Sequence, residues 1–192
     1  MAKVTMKMKT LAFPMPAFVI GANVDGKPNF MTAAWSGIAG STPPMITVAL
    51  QHHRHTLKGM KQNMTFSVNV PSADLVKETD YCGIISGTKA DKVATCGFKV
   101  FYGILQTAPL IEQFPVNLEC KIVQILDVGS HELIVGRIEE AHVSEECLTE
   151  GRPDVEKIKP IVYAGRRYMA LGEAVGGAFT IGKELTSTKP PA

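Results

Sequence analysis

Most signatures of familiar chemistry are missing from this 192-residue chain. The cysteines Cys82, Cys96, Cys120 and Cys147 are widely scattered. They form no CxxC pair and no Cys/His spacing suited to zinc. There is no GxSxG elbow for a serine nucleophile, no Walker loop, and no GxGxxG after a strand. No run approaches the roughly 20 apolar residues of a membrane span. Met1 to Phe18 is interrupted by Lys3, Lys7 and Lys9 and by two prolines, so it lacks the apolar core of a secretory signal. Charge of one sign is missing as well. Twenty basic and eighteen acidic residues leave a formal charge of +2, no field for nucleic acid and no acidic tail. These absences point to a reduced, cytoplasmic protein with no nucleic-acid or membrane partner.

What is present is an ordinary globular balance, with 45% apolar and 20% charged residues. At this length one domain spanning 1–192 buries about 70% of its unfolded surface, with a loose tail expected from about 183 to 192. Ala17 to Asp25 alternates Phe18, Ile20, Ala22 and Val24 with smaller residues and reads as a strand. Asp25-Gly26 then predicts a hairpin turn. Met45 to Gln51 and Thr65 to Val70 repeat the period of two, each with an aliphatic face and a small polar face. The polar faces suit either solvent or a ligand pocket. Ser41 to Pro44 predicts a loop.

Short helices are predicted from Leu57 to about Asn63 with Thr56 as N-cap, from Ala73 to about Tyr81 with Ser72 as cap, and from Thr88 to Thr95, ended by Gly97. Asn117 to Asp127 and His131 to Val143 predict a long hairpin. Glu139 to Pro160 is charged and predicted exposed. Many short strands and few helices predict a mainly β fold, a β-barrel with α decoration.

The densest functional signal is Asn29 to Gly37, NFMTAAWSG. It is too polar for a plain core strand and too small-sided for a surface one. Its alanines admit a flat ligand, and Trp35 offers an aromatic wall. Downstream, His52-His53-Arg54-His55-Thr56 precedes a helix whose N-terminal amides carry positive partial charge, an arrangement suited to phosphate. A metal at these histidines is disfavoured, because no carboxylate accompanies them. Ser86, Gly87, Lys89 and Lys92 form a second anion-holding stretch. Paired carboxylates are scarce in the first hundred residues, and no cysteine sits beside a predictable base. The pocket therefore suits a phosphorylated planar cofactor that brings its own reactivity. FMN and pyridoxal phosphate both meet that description, although no lysine stands out as a Schiff-base former.

Four segments decide between them by resemblance: PMPAFVIGANVDGKPNFMTAAWSG, PPMITVALQHHRHTLKGMKQNMTFSVNVPS, CGIISGTKADK and PIVYAGRRYMALGEAVG. In this order they resemble the flavin reductase-like, FMN-binding split-barrel family, and within it the flavoredoxin branch. The resemblance implies a Greek-key split β-barrel, a homodimer, and FMN held without a covalent bond. It implies that Asn29 and Met31, Thr32, Ala33, Ala34 and Trp35 lie along the flavin ring and ribityl chain, continued by Gln51, His52 and His53. It places Arg54 and Thr56 at the phosphate, Asn69 on the pocket's polar face, and Ser86 and Lys92 at phosphate or ribityl. Tyr163 and Tyr168 would approach from the C-terminal segment of either subunit. No catalytic acid or base and no metal are implied. The implied role is a redox flavoprotein with a redox protein as donor or acceptor. An NAD(P)H-dependent flavin reductase and a non-catalytic flavin-binding module are the alternatives.

Overall fold

The structure is a computed structural model and describes residues 1–187. Its first unit is set by Asp25 and Gly26. Both take positive φ, 50° and 80°, as a two-residue hairpin requires, and glycine does so without Cβ strain. After a short β1 (Met15–Pro16), strand β2 (Phe18–Val24) thus folds back on β3 (Lys27–Ala33). NFMTAAWSG is not one strand. β3 ends at Ala33, Ala34 and Trp35 form a link, and β4 (Ser36–Ser41) follows. Thr42 and Pro43 turn the chain into β5 (Pro44–Gln51), where Pro44 takes the first strand position, a place proline tolerates. Ile46, Val48 and Leu50 are buried there, as their alternation predicts.

Helix α1 (His55–Asn63) leads to β6 (Thr65–Val70), then to α2 (Val76–Ile84) and α3 (Lys92–Cys96). Strands β7 (Val100–Phe101) and β8 (Leu110–Ile111) pair within the next, largely irregular segment. The predicted long hairpin is β9 (Val116–Asp127) and β10 (His131–Val143). Beyond it come a small hairpin of β11 (Leu148–Thr149) and β12 (Arg152–Pro153), α4 (Val155–Ile158), a second hairpin of β13 (Ile161–Ala164) and β14 (Arg167–Ala170), and α5 (Glu184–Ser187). The loose tail expected from 183 thus includes a helical turn, and its residues 188–192 lie outside the described residues.

The main sheet runs β3-β2-β6-β9-β10-β5-β4, every neighbouring pair antiparallel. Its two edge strands, β3 and β4, are consecutive in the chain and joined by only two residues. The sheet must therefore curl until its edges meet at that link, and β3 comes against β5 there. Inside the curl lie Ile20, Met31, Ile46, Phe66, Val68 and Ile134, with Leu57 and Met60 of α1 packed into them. A second core sits on the other side of β2 and β3, where Phe30, Phe98 and Phe114 meet edge to face.

Several local expectations change. Helix α1 starts at His55 with Arg54 at its N-cap, so Thr56 lies inside the first turn. Its hydroxyl accepts a 2.6 Å bond from Asn29 Nδ2 and caps nothing. Ser72 precedes a 3-10 turn (Ala73–Leu75) and makes no side-chain cap bond. The helix expected from Thr88 starts at Lys92, because Asp91 accepts from the Ala94 amide and caps it there. Gly97, at φ 63°, ends it as predicted. Cys147 and Ile158 are buried within the stretch expected to be exposed. No helix among the described residues is long and apolar enough to cross a membrane.

The polar face of β6 meets protein. Ser67 Oγ donates to the Pro109 carbonyl, and the Thr65 and Thr107 hydroxyls lie 2.6 Å apart. Asn69 Nδ2 donates to Val19 O at 2.9 Å, while its Oδ1 accepts from the Ile111 amide and from Asn117 Nδ2. This face fastens segment 107–111 to the sheet, and each buried polar group has its partner.

Helix α1 lies so close to β2 that a Cβ on Gly59 would stand 2.4 Å from the Asn23 carbonyl oxygen. Gly59→Ala raises helix propensity by roughly 1 kcal/mol in open helices. Here overpacking outweighs it, and the variant should lose about 1–3 kcal/mol in urea unfolding. A gain in stability would contradict the close approach.

Candidate functional site

The curl delivers the end of β3, the end of β5 and the start of α1 to one place, and a groove opens there. Its broader end, about 470 Å³, is walled by Met31, Thr32, Ala33, Ala34 and Trp35 along β3 and the link. Ala49 and Gln51 of β5, Gly83 and Ile84 of α2, and Tyr163 and Tyr168 of the β13–β14 hairpin complete it. Small side chains on facing strands leave a slot that a flat group can enter. Thr32 is fixed, its hydroxyl donating to the Thr79 carbonyl of α2.

Trp35 stacks on His131 with ring centroids 4.6 Å apart and planes 29° from parallel. His131 reaches that position because it pairs in register with Gln51 across β10 and β5. On the opposite wall Tyr168 donates a 3.0 Å hydrogen bond to Asp80 of α2, which pins the hairpin against the helix. Burial, and then that contact with the Asp80 carboxylate, hold the phenol well above its usual pKa.

Met31, Arg54 and Ile84 continue into a narrower chamber of about 190 Å³. Its polar lining includes His53, Arg54, His55, Ser86, Lys89 and Lys92, with no carboxylate. The α1 N-terminus opens onto it without a side-chain cap and without an acidic residue in its first turn. Positive partial charge from the first-turn amides and side-chain charge therefore converge on one small volume, which suits an anion. The Arg54 guanidinium is held by one long bond, 3.5 Å from Nη1 to the Gly83 carbonyl. Lys92 is buried, and its Nζ donates to Phe30 O and Cys82 O at 2.7 and 2.8 Å. Burial lowers its pKa, with Arg54 adding to the effect and the neighbouring thiols Cys82 and Cys96 opposing it. Two of its three donors serve backbone carbonyls, leaving one direction toward the chamber. Gly87 closes the chamber's far side, where a Cβ would stand 1.9 Å from Asn29 Oδ1. Asn29 itself borders a neighbouring cavity of about 540 Å³.

Two residues predicted at this site lie elsewhere. Asn69 is fully buried and spends its amide on the β6 network, because segment 107–111 covers the face that alternation left open. His52 turns away to the β9–β10 hairpin, with Nε2 2.7 Å from Gly129 O and Nδ1 3.2 Å from Glu132 Oε1. The other predicted residues border the groove or the cavity beside it. Asp80, His131 and Arg166 line the broad end without having been singled out in the sequence. Register supplies His131 and helix docking supplies Asp80, and neither carries a local motif. Arg166 lies in the GRR turn of a segment from which only the tyrosines were drawn.

Comparison with known proteins shows the family and the fold. The model of the flavin reductase like domain matches residues 8–172. The crystal structure of flavoredoxin from Methanosarcina acetivorans superposes with a TM-score of 0.89 at 38% identity, covering 95% of this chain and 100% of that one. Flavoredoxin of Desulfovibrio vulgaris (Miyazaki F) gives 0.88 at 36% identity with the same coverage of both chains. An uncharacterized protein of Archaeoglobus fulgidus is 31% identical over 151 residues, 78% of this chain and 84% of its own. With a family match over most of its length and two such neighbours across nearly all of it, this chain belongs to the flavin reductase-like family.

Proposed function

We propose that the protein is an FMN-binding, flavoredoxin-like redox flavoprotein that passes electrons between a reduced donor and an acceptor. The observation that carries this reading is the continuity of the groove. A flat, small-sided slot opens through Met31 and Arg54 directly into a carboxylate-free cationic chamber at a helix N-terminus. The residues present fit FMN at both ends, with Ala33, Ala34 and Ala49 along a planar ring system and Arg54, Ser86 and the α1 amides around a phosphate. FMN when bound supplies the electron transfer itself.

The side chains position it. Thr32 and Gln51 offer polar atoms at the slot wall, and the Trp35–His131 stack shields one end from water. Lys92, tied to Phe30 and Cys82, keeps the chamber wall in register with β3. This arrangement contains no activated nucleophile. The thiol of Cys82 is pushed up to about 12 by burial, so it is protonated near neutral pH. The reading includes a homodimer. Its support is the apolar surface left uncovered on the terminal segments, at Leu11, Phe13, Leu171, Val175 and Phe179.

Arg54→Ala should lose about 1.5–3 kcal/mol of FMN binding, or roughly ten- to a hundredfold in affinity, in a fluorescence titration. Asn69→Ala should lower the unfolding free energy by about 1–3 kcal/mol and leave FMN affinity within twofold. Unchanged affinity in the arginine variant would remove the phosphate assignment.

Electron carriage has its own test. The purified protein should carry a flavin spectrum, and its oxidation of NADH or NADPH should rise little when free FMN is added. A large FMN-dependent turnover would favour the flavin reductase alternative.

A further inference from the structure

A second cluster of chemistry-bearing side chains lies on the β9–β10 hairpin, and none of its members lines the groove. Glu119 and Glu140 are direct cross-strand partners in the register of β9 and β10. His142 follows Glu140 by two residues and so shares its face of the strand. The register slips between Ile138 and Glu140, and a bulge of that kind re-aims the side chains that follow it. Like charges placed directly opposite on a sheet repel, and one of this pair is fully buried.

The geometry at this point is that of a ligand set. His142 Nε2 lies 2.9 Å from Glu119 Oε1 and 3.5 Å from Glu140 Oε2. A single imidazole nitrogen faces two carboxylate oxygens. Oxygen and nitrogen ligands at about 2.0–2.2 Å from a tetrahedral divalent ion stand roughly 3.3–3.6 Å apart. Glu140 Oε2 stands at that spacing from His142 Nε2, which is hydrogen-bonded to Glu119 Oε1 at 2.9 Å and reaches the spacing there by a shift of a few tenths of an ångström.

The carboxylate of Glu119 is held from behind. The amides of Ile104 and Leu105 donate to its two oxygens at 3.1 and 2.5 Å, as an outer shell does when it orients a ligand. Gly103 is the residue that lets this segment close over it, since a Cβ there would stand 1.7 Å from Glu119 Oε1 and 2.9 Å from His142 Nε2. Phe101 braces the His142 ring edge to face, 5.5 Å between centroids. Glu140 and His142 keep 42% and 31% of their side-chain surface exposed, so an ion can enter from solvent.

We propose that Glu119, Glu140 and His142 form a binding site for a borderline divalent transition-metal ion, with Zn²⁺ as the reference case and the fourth position open to water. One imidazole and two carboxylates suit this class better than Mg²⁺ or Ca²⁺, which take all-oxygen shells. The ion takes the place of the hydrogen bond between His142 Nε2 and Glu119 Oε1, any proton held there leaves to solvent, and the ion's two positive charges neutralise both glutamates. It ties β9, β10 and, through Glu119, the Gly103–Leu105 segment into one unit. No electron transfer or bond cleavage is required of it.

The test uses the full, untagged chain, stripped with a chelator and titrated with Zn²⁺ by calorimetry. The expected result is one ion per chain and a melting temperature that rises with Zn²⁺ concentration. Glu140→Gln and His142→Gln should each weaken binding at least tenfold and abolish the thermal shift. Both positions are partly exposed, so their metal-free forms should fold. Glu119→Gln gives the same direction but also touches the segment it anchors, so it is secondary. The FMN affinity of both principal variants should be unchanged, which separates this site from the groove. No stoichiometric Zn²⁺ uptake would overturn the assignment. Uptake that persists undiminished in Glu140→Gln and His142→Gln would overturn it equally, by placing the ion on other histidines.

Discussion

The constraint on which the rest depends is a two-residue link. Ala34 and Trp35 join β3 to β4, the two edges of a seven-stranded sheet. No open flat sheet can have its first and last strands joined so tightly. The sheet curls, and the Trp35 carbonyl accepts from the Ala49 amide of β5 at 2.8 Å to hold the seam. Two edges that would otherwise invite pairing with another chain meet at one place. Everything at the groove follows from where that seam lies. β5 ends beside the link, its last residues turn into α1, and the helix N-terminus therefore faces the small-sided wall of β3.

Packing keeps the arrangement in place. Gly59 lets α1 seat against β2, while Asn29 ties β3 to the first turn of α1 through Thr56. Thr32, Lys92 and Tyr168 each bind α2 to its surroundings by a hydrogen bond. The cationic chamber is thus built on a strand, a helix start and a braced loop. A site carried on such elements loses little freedom when an anion arrives, which favours affinity.

Local signals read well from the sequence. Asp25-Gly26 announced its turn, and Ile46, Val48 and Leu50 announced the buried face of β5, because both depend on neighbours in the chain. The small-sided wall and the Arg54 region were also legible, since residue type and helix polarity suffice for them. What failed was whatever depends on a distant partner. Alternation in β6 identified the polar face holding Asn69 but not that segment 107–111 covers it. His52 and Arg54 differ by two positions, yet only the turn geometry sends one toward Glu132 and the other into the groove. His131 and the Glu119–Glu140–His142 cluster exist only through strand register, which no short window of sequence contains.

The central claim is that a cationic chamber at the α1 N-terminus anchors the phosphate of a flavin lying along β3. Comparing FMN with riboflavin, which lacks only that phosphate, tests it most directly. In parallel titrations of the flavin-free protein, FMN should bind at least tenfold more tightly than riboflavin, with the difference shrinking in Arg54→Ala. Equal affinity for the two flavins would contradict the account.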